Sequence, residues 1–304
     1  MATATGIRQR IRQRLIDNFW GWFFILPTFV GLMVLNIYPI FLTLWQSFHR
    51  VGPFGRGNVF VGFEHYVTMA NDPQVWQALR NTIIYTAVEV PFSVAIGFIF
   101  AVILNQKIPG RGVFRTIFFL PMIVAPAAVA MVWRFLYNTS FGLINYILTS
   151  IGLSPVGWIT DPNIAIFSIA IVGIWSTFGY VTVLYLAGLQ EIPQEYYEAA
   201  DIDGASFIRK QLMITIPLVS PTTFFIVMIR VMVAMQVFDF IFIMLGRFSP
   251  VLPRTQSLVF LFYRFSFMEH NRGYGATIII LLLAVIMVFT AIQQIFQKRW
   301  VHYE

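Results

Sequence analysis

Long apolar runs separated by short polar segments dominate the pattern of hydrophobic and polar positions along this chain. A helix that crosses a bilayer needs about 20 mostly apolar residues, because each residue rises about 1.5 Å through a hydrocarbon core about 30 Å thick. Strands of a membrane barrel need only about 9–11 residues of alternating pattern, so the long runs predict helices. Six runs qualify, and they are Trp20–Phe48, Asn81–Leu104, Arg115–Tyr137, Ile164–Leu189, Leu218–Leu245 and Tyr274–Phe296.

Composition supports lipid as the solvent of these helices. Hydrophobic residues make up 58% of the chain and charged residues only 11%, whereas soluble domains carry about 25% charged residues. We therefore expect an all-α integral membrane protein with about six transmembrane helices. Residues 1–18 form a basic N-terminus, and residues 19–304 form the transmembrane domain. The absence of cysteine excludes disulfides and thiolate metal ligands.

Prolines and one short apolar piece modify this picture. Membrane helices tolerate prolines as kinks where neighbouring groups satisfy the freed carbonyls. The segment Leu143–Ile151 is too short to span, so we expect it to lie flat at the outer surface. The prolines inside the predicted runs are Pro27, Pro39, Pro91, Pro121 and Pro126.

Lys and Arg are distributed unevenly between the two sets of connections, and cytoplasmic loops carry the excess of such residues. The richer set holds Arg8, Arg10, Arg12, Arg14, Lys107, Arg111, Arg115, Arg209, Lys210, Lys298 and Arg299. The opposite connections, although longer, hold Arg50, Arg56, Arg80, Arg247, Arg254, Arg264 and Arg272. This asymmetry predicts that both termini are cytoplasmic.

The connection between the fourth and fifth runs predicts a helix, a turn and a second helix. Pro193 suits the first turn of a helix, and the acid Glu198 follows near its positive end. Gly204 can adopt the left-handed conformation that ends such a helix. Ala199 and Ala200 leave the first helix nearly bare, so another protein can approach it closely.

The spacing within this connection, residues 190–217, resembles the EAA loop of importer-type ABC permeases. Three residues separate Glu198-Ala199-Ala200 from Gly204, nine more separate Gly204 from Ile214, and Pro217 follows. Isoleucine replaces the usual leucine before the proline. The resemblance extends along the chain to the carbohydrate-uptake branch, through Leu26-Pro27, Tyr38-Pro39, Ser47-Phe48, Val61-Gly62-Phe63, Gly110-Arg111 to Phe114-Arg115, Leu186 to Gln190, and Arg299 to Glu304.

The resemblance implies the type I ABC importer permease fold, with this chain as the first of two paired permeases. It implies four kinds of partner: a second homologous permease, two ATPase subunits, an extracytoplasmic solute-binding protein and membrane lipid. ATP and Mg would bind to the ATPase, and this chain would bind no cofactor. The location implied is the plasma or inner membrane of a prokaryote. The residues implied to contact the ATPase are Glu198, Ala199, Ala200, Asp203 and Gly204.

The sequence lacks the signals expected of an ATPase and of two other classes of membrane protein. An ATPase needs a glycine-rich loop ending in Gly-Lys-Ser/Thr, and none of Lys107, Lys210 and Lys298 has that context. A membrane-embedded transferase needs a cluster of catalytic side chains near the interface, and a secondary transporter usually shows two related halves. The sequence contains neither pattern, so we expect a permease that is not itself an enzyme.

Small and hydroxyl side chains recur on one face of the fourth run, at Gly173, Ser176, Thr177 and Tyr180. Hydroxyls with an aromatic ring suit a sugar, whose faces alternate hydroxyl edges and apolar C–H patches. The same spacing is equally typical of a small-residue stripe at which two membrane helices pack. Both interpretations remain open from the sequence.

Arg230 lies near the middle of the fifth run, and polar side chains within spans usually face a cavity. In the resembled family the helices that flank the EAA loop contact the sugar, which implies a path along Arg230, Val233, Ala234 and Val237. We expect a gating or structural role for Glu89 in the second run, and for Gln236 and Asp239 further along the fifth. On a straight helix Arg230 and Asp239 point in opposite directions and cannot pair.

The solute expected from this resemblance is a di- or oligosaccharide. Arg230 leaves a second possibility open, because its charge could favour an anionic solute such as a sugar or glycerol phosphoester. It could instead pair with a carboxylate, either Glu89 or an acid of the second permease. The sequence does not decide between these roles.

Overall fold

The computed structural model describes residues 19–52, 58–106 and 109–300. Residues 299 and 300 are described by their backbone alone. Predictions that concern the basic N-terminus, Lys107 and the final residues therefore lie outside the described part. In chain order the helices are α1 (Phe19–Ser47), α2 (Glu64–Asn71), α3 (Pro73–Asn105), α4 (Arg111–Ile123), α5 (Pro126–Leu136), α6 (Leu143–Ser150), α7 (Ala165–Glu191), α8 (Gln194–Ile202), α9 (Phe207–Leu218), α10 (Ser220–Ala234), α11 (Asp239–Leu245), α12 (Leu252–Thr255), α13 (Leu258–Met268) and α14 (Arg272–Trp300).

The described residues form an almost entirely helical fold. Four helices, α1, α3, α7 and α14, are each long and apolar enough to cross a membrane. Two bent pairs, α4–α5 at 94° and α9–α10 at 67°, bring the number of spans to six if each pair is one span. A short antiparallel ribbon joins β1 (His49–Arg50) to β2 (Val59–Phe60). The prediction of an all-α membrane fold with about six spans is confirmed.

Two of the predicted continuous spans are broken. The run Arg115–Tyr137 turns sharply at Val124 and Ala125, which are extended, because a residue before proline avoids the helical conformation and Pro126 follows. The prediction of Leu218–Leu245 as one helix is also wrong, since α10 ends at Ala234 and α11 begins only at Asp239. Both breaks open space beside the middle of the helix bundle.

Wide helical turns precede two of the prolines. The π-helical turns Met33–Ile37 and Gln211–Thr215 each end two residues before a proline, at Pro39 and Pro217. Proline clashes with the carbonyl one turn earlier and donates no hydrogen bond, so a wider turn relieves the local crowding. By contrast, Pro91 lies inside α3 without any break.

The core lies between α3 and α7, with α10, α13 and α14 packed around them. Fully buried side chains at this centre include Ala78, Ile169 and Ala170. A second apolar cluster lies at the other end of the same two helices, and Leu104 and Tyr185 belong to it. Among the described residues, helix α1 packs mainly through its C-terminal end, against α14, and most of its apolar side chains are exposed.

Asn81 fastens the chain that follows α11 to helix α3. Its side-chain amide donates to the carbonyl oxygens of Arg254 at 2.9 Å and Gln256 at 3.0 Å. Gln77 donates to the Asn81 Oδ1 at 2.9 Å, so both the amide nitrogen and the amide oxygen of Asn81 are hydrogen-bonded. The side chain is 3% exposed, and irregular backbone at this position therefore depends on it for hydrogen bonds.

We predict that Asn81→Ala lowers the free energy of unfolding by about 1–3 kcal/mol, because one buried and one part-buried carbonyl lose their donor. Thermal unfolding of the purified chain in detergent measures the change. Asn71→Ala is the matched control, since Asn71 is exposed and makes one local bond to the Val67 carbonyl at 2.8 Å. Equal destabilisation by the two substitutions would contradict the fastening role of Asn81.

Candidate functional site

A buried ion pair lies where helices α3, α7 and α10 meet. The Arg230 Nη2 on α10 donates to the Glu89 Oε1 on α3 at 2.5 Å. The Thr177 hydroxyl on α7 donates to the same oxygen at 2.7 Å. The Glu89 side chain is 0% exposed and that of Arg230 only 8%. One carboxylate thus holds three helices together.

The approach of α3 to α7 depends on a glycine. A Cβ on Gly173 would lie 2.2 Å from the Tyr85 hydroxyl oxygen and 3.2 Å from the Glu89 Cγ. The Gly173 carbonyl lies 2.8 Å from the Thr177 hydroxyl and is the alternative acceptor for its single proton. A larger residue would force the Tyr85 side chain or α7 to shift, so Gly173 fits the packing interpretation as closely as it fits a path.

The electrostatics of the pair follow from its burial. Arginine stays charged in proteins, so Arg230 needs a counter-charge or water wherever it lies among helices. Glu89 supplies that charge in direct contact. The Glu89 Oε2 and the Arg230 Nε are buried and make no hydrogen bond within the described residues. Removing either partner alone would leave an uncompensated buried charge.

A cavity of about 280 Å³ opens beside this pair, close to the lower end of the usual range for ligand pockets of about 300–1,000 Å³. It lies between α7, α10 and the two helix breaks, and it mixes polar with apolar side chains. Its lining consists of Tyr85, Met122, Val124, Pro126, Ser176, Thr177, Arg230, Val233, Ala234, Gln236, Val237, Phe238, Asp239 and Phe240.

Most of the residues predicted for the path lie around this cavity. From α7 these are Ser176 and Thr177, and from α10 and the break after it they are Arg230, Val233, Ala234 and Val237. Gln236 and Asp239, predicted as gating or structural residues, also line the cavity. Glu89 lies behind the lining, in contact with it through Arg230. Gly173 lies under Tyr85, and the half-buried Tyr180 is not part of the lining. On the predicted face of α7, Gly173 therefore serves helix packing, whereas Ser176 and Thr177 line the cavity.

Arg230 and Asp239 do not lie on one straight helix, so the prediction that they point in opposite directions is wrong in its premise. Helix α10 ends at Ala234, and Asp239 begins a new helix. The break brings both side chains to the same cavity. Its backbone is supported by Ser257, whose hydroxyl donates to the Val237 carbonyl at 2.6 Å.

The first helix break also contributes to the cavity, which the sequence pattern did not predict. Met122, Val124 and Pro126 reach the cavity from the α4–α5 bend. Pro126 was predicted to form a kink, and a kink in a membrane helix is where a cavity wall can form. Tyr85, one helical turn before Glu89, has no distinguishing signal in the sequence.

The segment between α7 and α10 has the helix–turn–helix form that its pattern predicts. Helix α8 ends in a left-handed turn at Gly204, whose φ is +68°. The Ala205 N–H bonds to the Ala200 carbonyl at 2.9 Å, and the Gly204 N–H to the Asp201 carbonyl at 3.1 Å. These two bonds define a Schellman motif, a helix end whose left-handed residue is usually glycine.

The residues predicted to meet an ATPase lie at the surface of this segment. Glu198, Ala199, Asp203 and Gly204 are exposed, and Ala200 is half-buried. A Cβ on Gly204 would meet nothing within 4 Å, so the space around it is open.

Helices α8 and α9 are joined into one unit by side chains. The Tyr197 and Thr215 hydroxyls bond at 3.0 Å, and Lys210 forms an ion pair with Asp201. The Ser206 hydroxyl accepts from the Arg209 N–H at 3.4 Å and caps α9. The segment therefore has several internal constraints despite its exposure.

The apolar helical fold and the partly polar cavity between its helices are those of an integral membrane permease. Residues 93–302 match the family described as "Binding-protein-dependent transport system inner membrane component", and the chain belongs to this family. It is accordingly a transport component of the ABC importer type rather than an enzyme. The resemblance that the EAA-loop spacing indicated is confirmed.

Two relatives show the breadth of this family. The chain is 36% identical over 272 residues to the trehalose/maltose transport system permease protein MalF of Thermococcus litoralis, covering 90% of this chain and 91% of the relative. It is 30% identical over 280 residues to the sn-glycerol-3-phosphate transport system permease protein UgpA of Agrobacterium fabrum, covering 91% and 94%. The first relative is named for neutral sugars and the second for an anion.

A solved structure shares the fold. A chain in the crystal structure of a bacterial ABC transporter involved in the import of the acidic polysaccharide alginate superposes with a TM-score of 0.84. The superposition covers 95% of this chain and 99% of that one, at 22% sequence identity. At this identity the likeness shows the architecture alone.

We predict that Arg230→Leu and Glu89→Leu each lower stability by about 3–5 kcal/mol, because each leaves one buried charge without its partner. The double substitution should lose much less than the sum of the two. A double-mutant cycle, followed by thermal unfolding in detergent, measures this coupling.

The control cycle uses Arg50 and Glu64, whose pair at 2.6 Å is more than half exposed on both sides. Exposed pairs contribute about 0.2–1 kcal/mol, so this cycle should show little coupling. A coupling for Arg230 and Glu89 no larger than that of the exposed pair would contradict the structural role of the buried one.

Proposed function

We propose that this chain forms one wall of the translocation path of an ATP-driven sugar importer and is coupled to a separate ATPase through the loop at residues 190–217. One observation carries the proposal: the cavity lies between the two helices that the exposed α8–α9 unit connects. A movement of that unit acts on both α7 and α10, which the Arg230, Glu89 and Thr177 contacts also join.

The partners follow from the family and from what this chain lacks. The family description supports an extracytoplasmic binding protein, and the open cavity supports a second permease that supplies the other wall. The Lys contexts support two separate ATPase subunits that bind ATP and Mg, with no cofactor on this chain. The charge asymmetry of the connections supports cytoplasmic termini in a prokaryotic plasma membrane.

The chemistry of the cavity supports a carbohydrate. Ser176 and Gln236 offer a hydroxyl and an amide, while Tyr85 and Phe240 offer aromatic rings. The relative named for trehalose and maltose transport supports a disaccharide. Arg230 in the lining and the relative named for sn-glycerol-3-phosphate support a phosphoester as the second candidate.

We predict that the purified chain alone, reconstituted in vesicles, neither hydrolyses ATP nor takes up solute. The complete complex with its second permease, ATPase and binding protein should do both. ATP hydrolysis and the uptake of labelled sugars, measured side by side, provide the test. Uptake by the lone chain would overturn the proposed division of labour.

We predict that Gly204→Leu uncouples ATP hydrolysis from uptake while the chain still inserts. The φ of Gly204 costs other residues about 1–2 kcal/mol, and the added side chain would stand on the proposed docking surface. Gly152→Leu is the matched control, because Gly152 has φ +83° and is equally unobstructed but lies elsewhere. Equal loss of coupling in both variants would assign the effect to backbone strain alone.

A further inference from the structure

We infer that the path selects uncharged solutes and excludes anionic ones, and that Asp239 is the residue that determines this preference. The inference rests on the proposed function and decides between its two candidate solutes. It follows from the charges that surround the cavity and from which of them are already paired.

Arg230 is the residue that would favour an anion, but its positive charge is balanced by the carboxylate of Glu89. Its Nη2 is bonded to Glu89 at 2.5 Å, and Glu89 is fully buried behind the lining. A solute phosphate that approached Arg230 would share it with the Glu89 carboxylate, whose negative charge offsets the attraction. The Thr177 hydroxyl is likewise directed to Glu89 rather than to the cavity.

Asp239 is in the opposite situation. Its side chain is exposed and lines the same cavity. Within the part of the chain that the structure describes, no ion pair involves it. The charged groups of the lining are therefore Arg230, which is paired, and Asp239, which is not. The partner of Arg230, behind the lining, is a second carboxylate, Glu89. The remaining polar groups of the lining are neutral hydroxyls and an amide.

The lining and the carboxylate behind it thus sum to one negative charge, because Arg230 is balanced by Glu89 and Asp239 is not balanced within this set. A solute phosphate or carboxylate within about 10 Å of Asp239 is disfavoured by roughly tenfold in affinity at an effective dielectric constant near 20. A neutral sugar has no such cost, and the Asp239 carboxylate can accept hydrogen bonds from its hydroxyls. The same residue thus both attracts a polyol and repels an anion.

The test measures solute binding to the assembled permease–ATPase complex without its binding protein, so that the selectivity of that protein does not enter. The probes are two pairs of a neutral and an anionic solute, trehalose with trehalose 6-phosphate and lactose with lactobionate. Equilibrium dialysis measures the binding of each. We expect the neutral member to bind at least about tenfold more tightly, as one unpaired carboxylate implies. Asp239→Asn should reduce this ratio by about the same factor.

Two further variants separate the role of Asp239 from a general loss of negative charge and from an effect of the buried pair. Asp161→Asn removes a carboxylate that does not line the cavity and should leave the ratio unchanged. Glu89→Gln combined with Arg230→Gln removes the buried pair without leaving a lone charge. Whatever it does to the affinity itself, this double variant should retain the preference, because Asp239 remains.

Each outcome bears on the inference. A preference for the neutral member that falls only in Asp239→Asn supports it. Equal or tighter binding of the anionic member, an unchanged ratio in Asp239→Asn, or loss of the preference in the double variant would overturn it. In those three cases a complex that still imports solute leaves the proposed function intact. A complete complex that neither binds nor imports any probe or other sugar would overturn both.

Discussion

The bond between Arg230 and Glu89 is the constraint on which the rest of the structure depends. Arg230 cannot lose its proton and lies in the last turns of the apolar helix α10, so it needs a counter-charge or water at close range. Glu89 provides it only if α3, α7 and α10 approach one another at one level. Gly173 permits that approach, and Thr177 fixes the carboxylate from the third side. The packing of three helices is thus determined by one charge.

The cavity exists because helices stop beside this pair. Inside a membrane every freed backbone group needs a partner from the protein. At the break after α10 the Ser257 hydroxyl donates to the Val237 carbonyl at 2.6 Å. Further along, the Arg134 side chain donates to the Ile243 carbonyl at 3.2 Å. Irregular backbone therefore borders the cavity because side chains from other helices replace the lost helical bonds.

The sequence allowed the long helices to be predicted because their length is imposed by the membrane. Helix α7 was predicted from Ile164 to Leu189 and extends over Ala165–Glu191. The break after Ala234 could not be predicted, because no proline or glycine marks it and its support comes from Ser257, distant in sequence. The choice of Glu89 for Arg230 also required the structure, since the sequence left an acid on another chain equally possible. Tyr180 was placed on the path by helical spacing alone, which ignores the neighbouring helices.

The two helices that flank the α8–α9 unit differ in how they can respond to it. Helix α7 is continuous over 27 residues, whereas α10 is bent by 67° from α9 at one end and interrupted after Ala234 at the other. If the unit docks on an ATPase as proposed, its displacement would move α7 as one body but could turn α10 between its two breaks. If Glu89 and Thr177 keep their positions on α3 and α7, such a turn would lengthen the bond to Arg230. Under the proposed coupling, the contact that joins the three helices would then be the one that the movement strains.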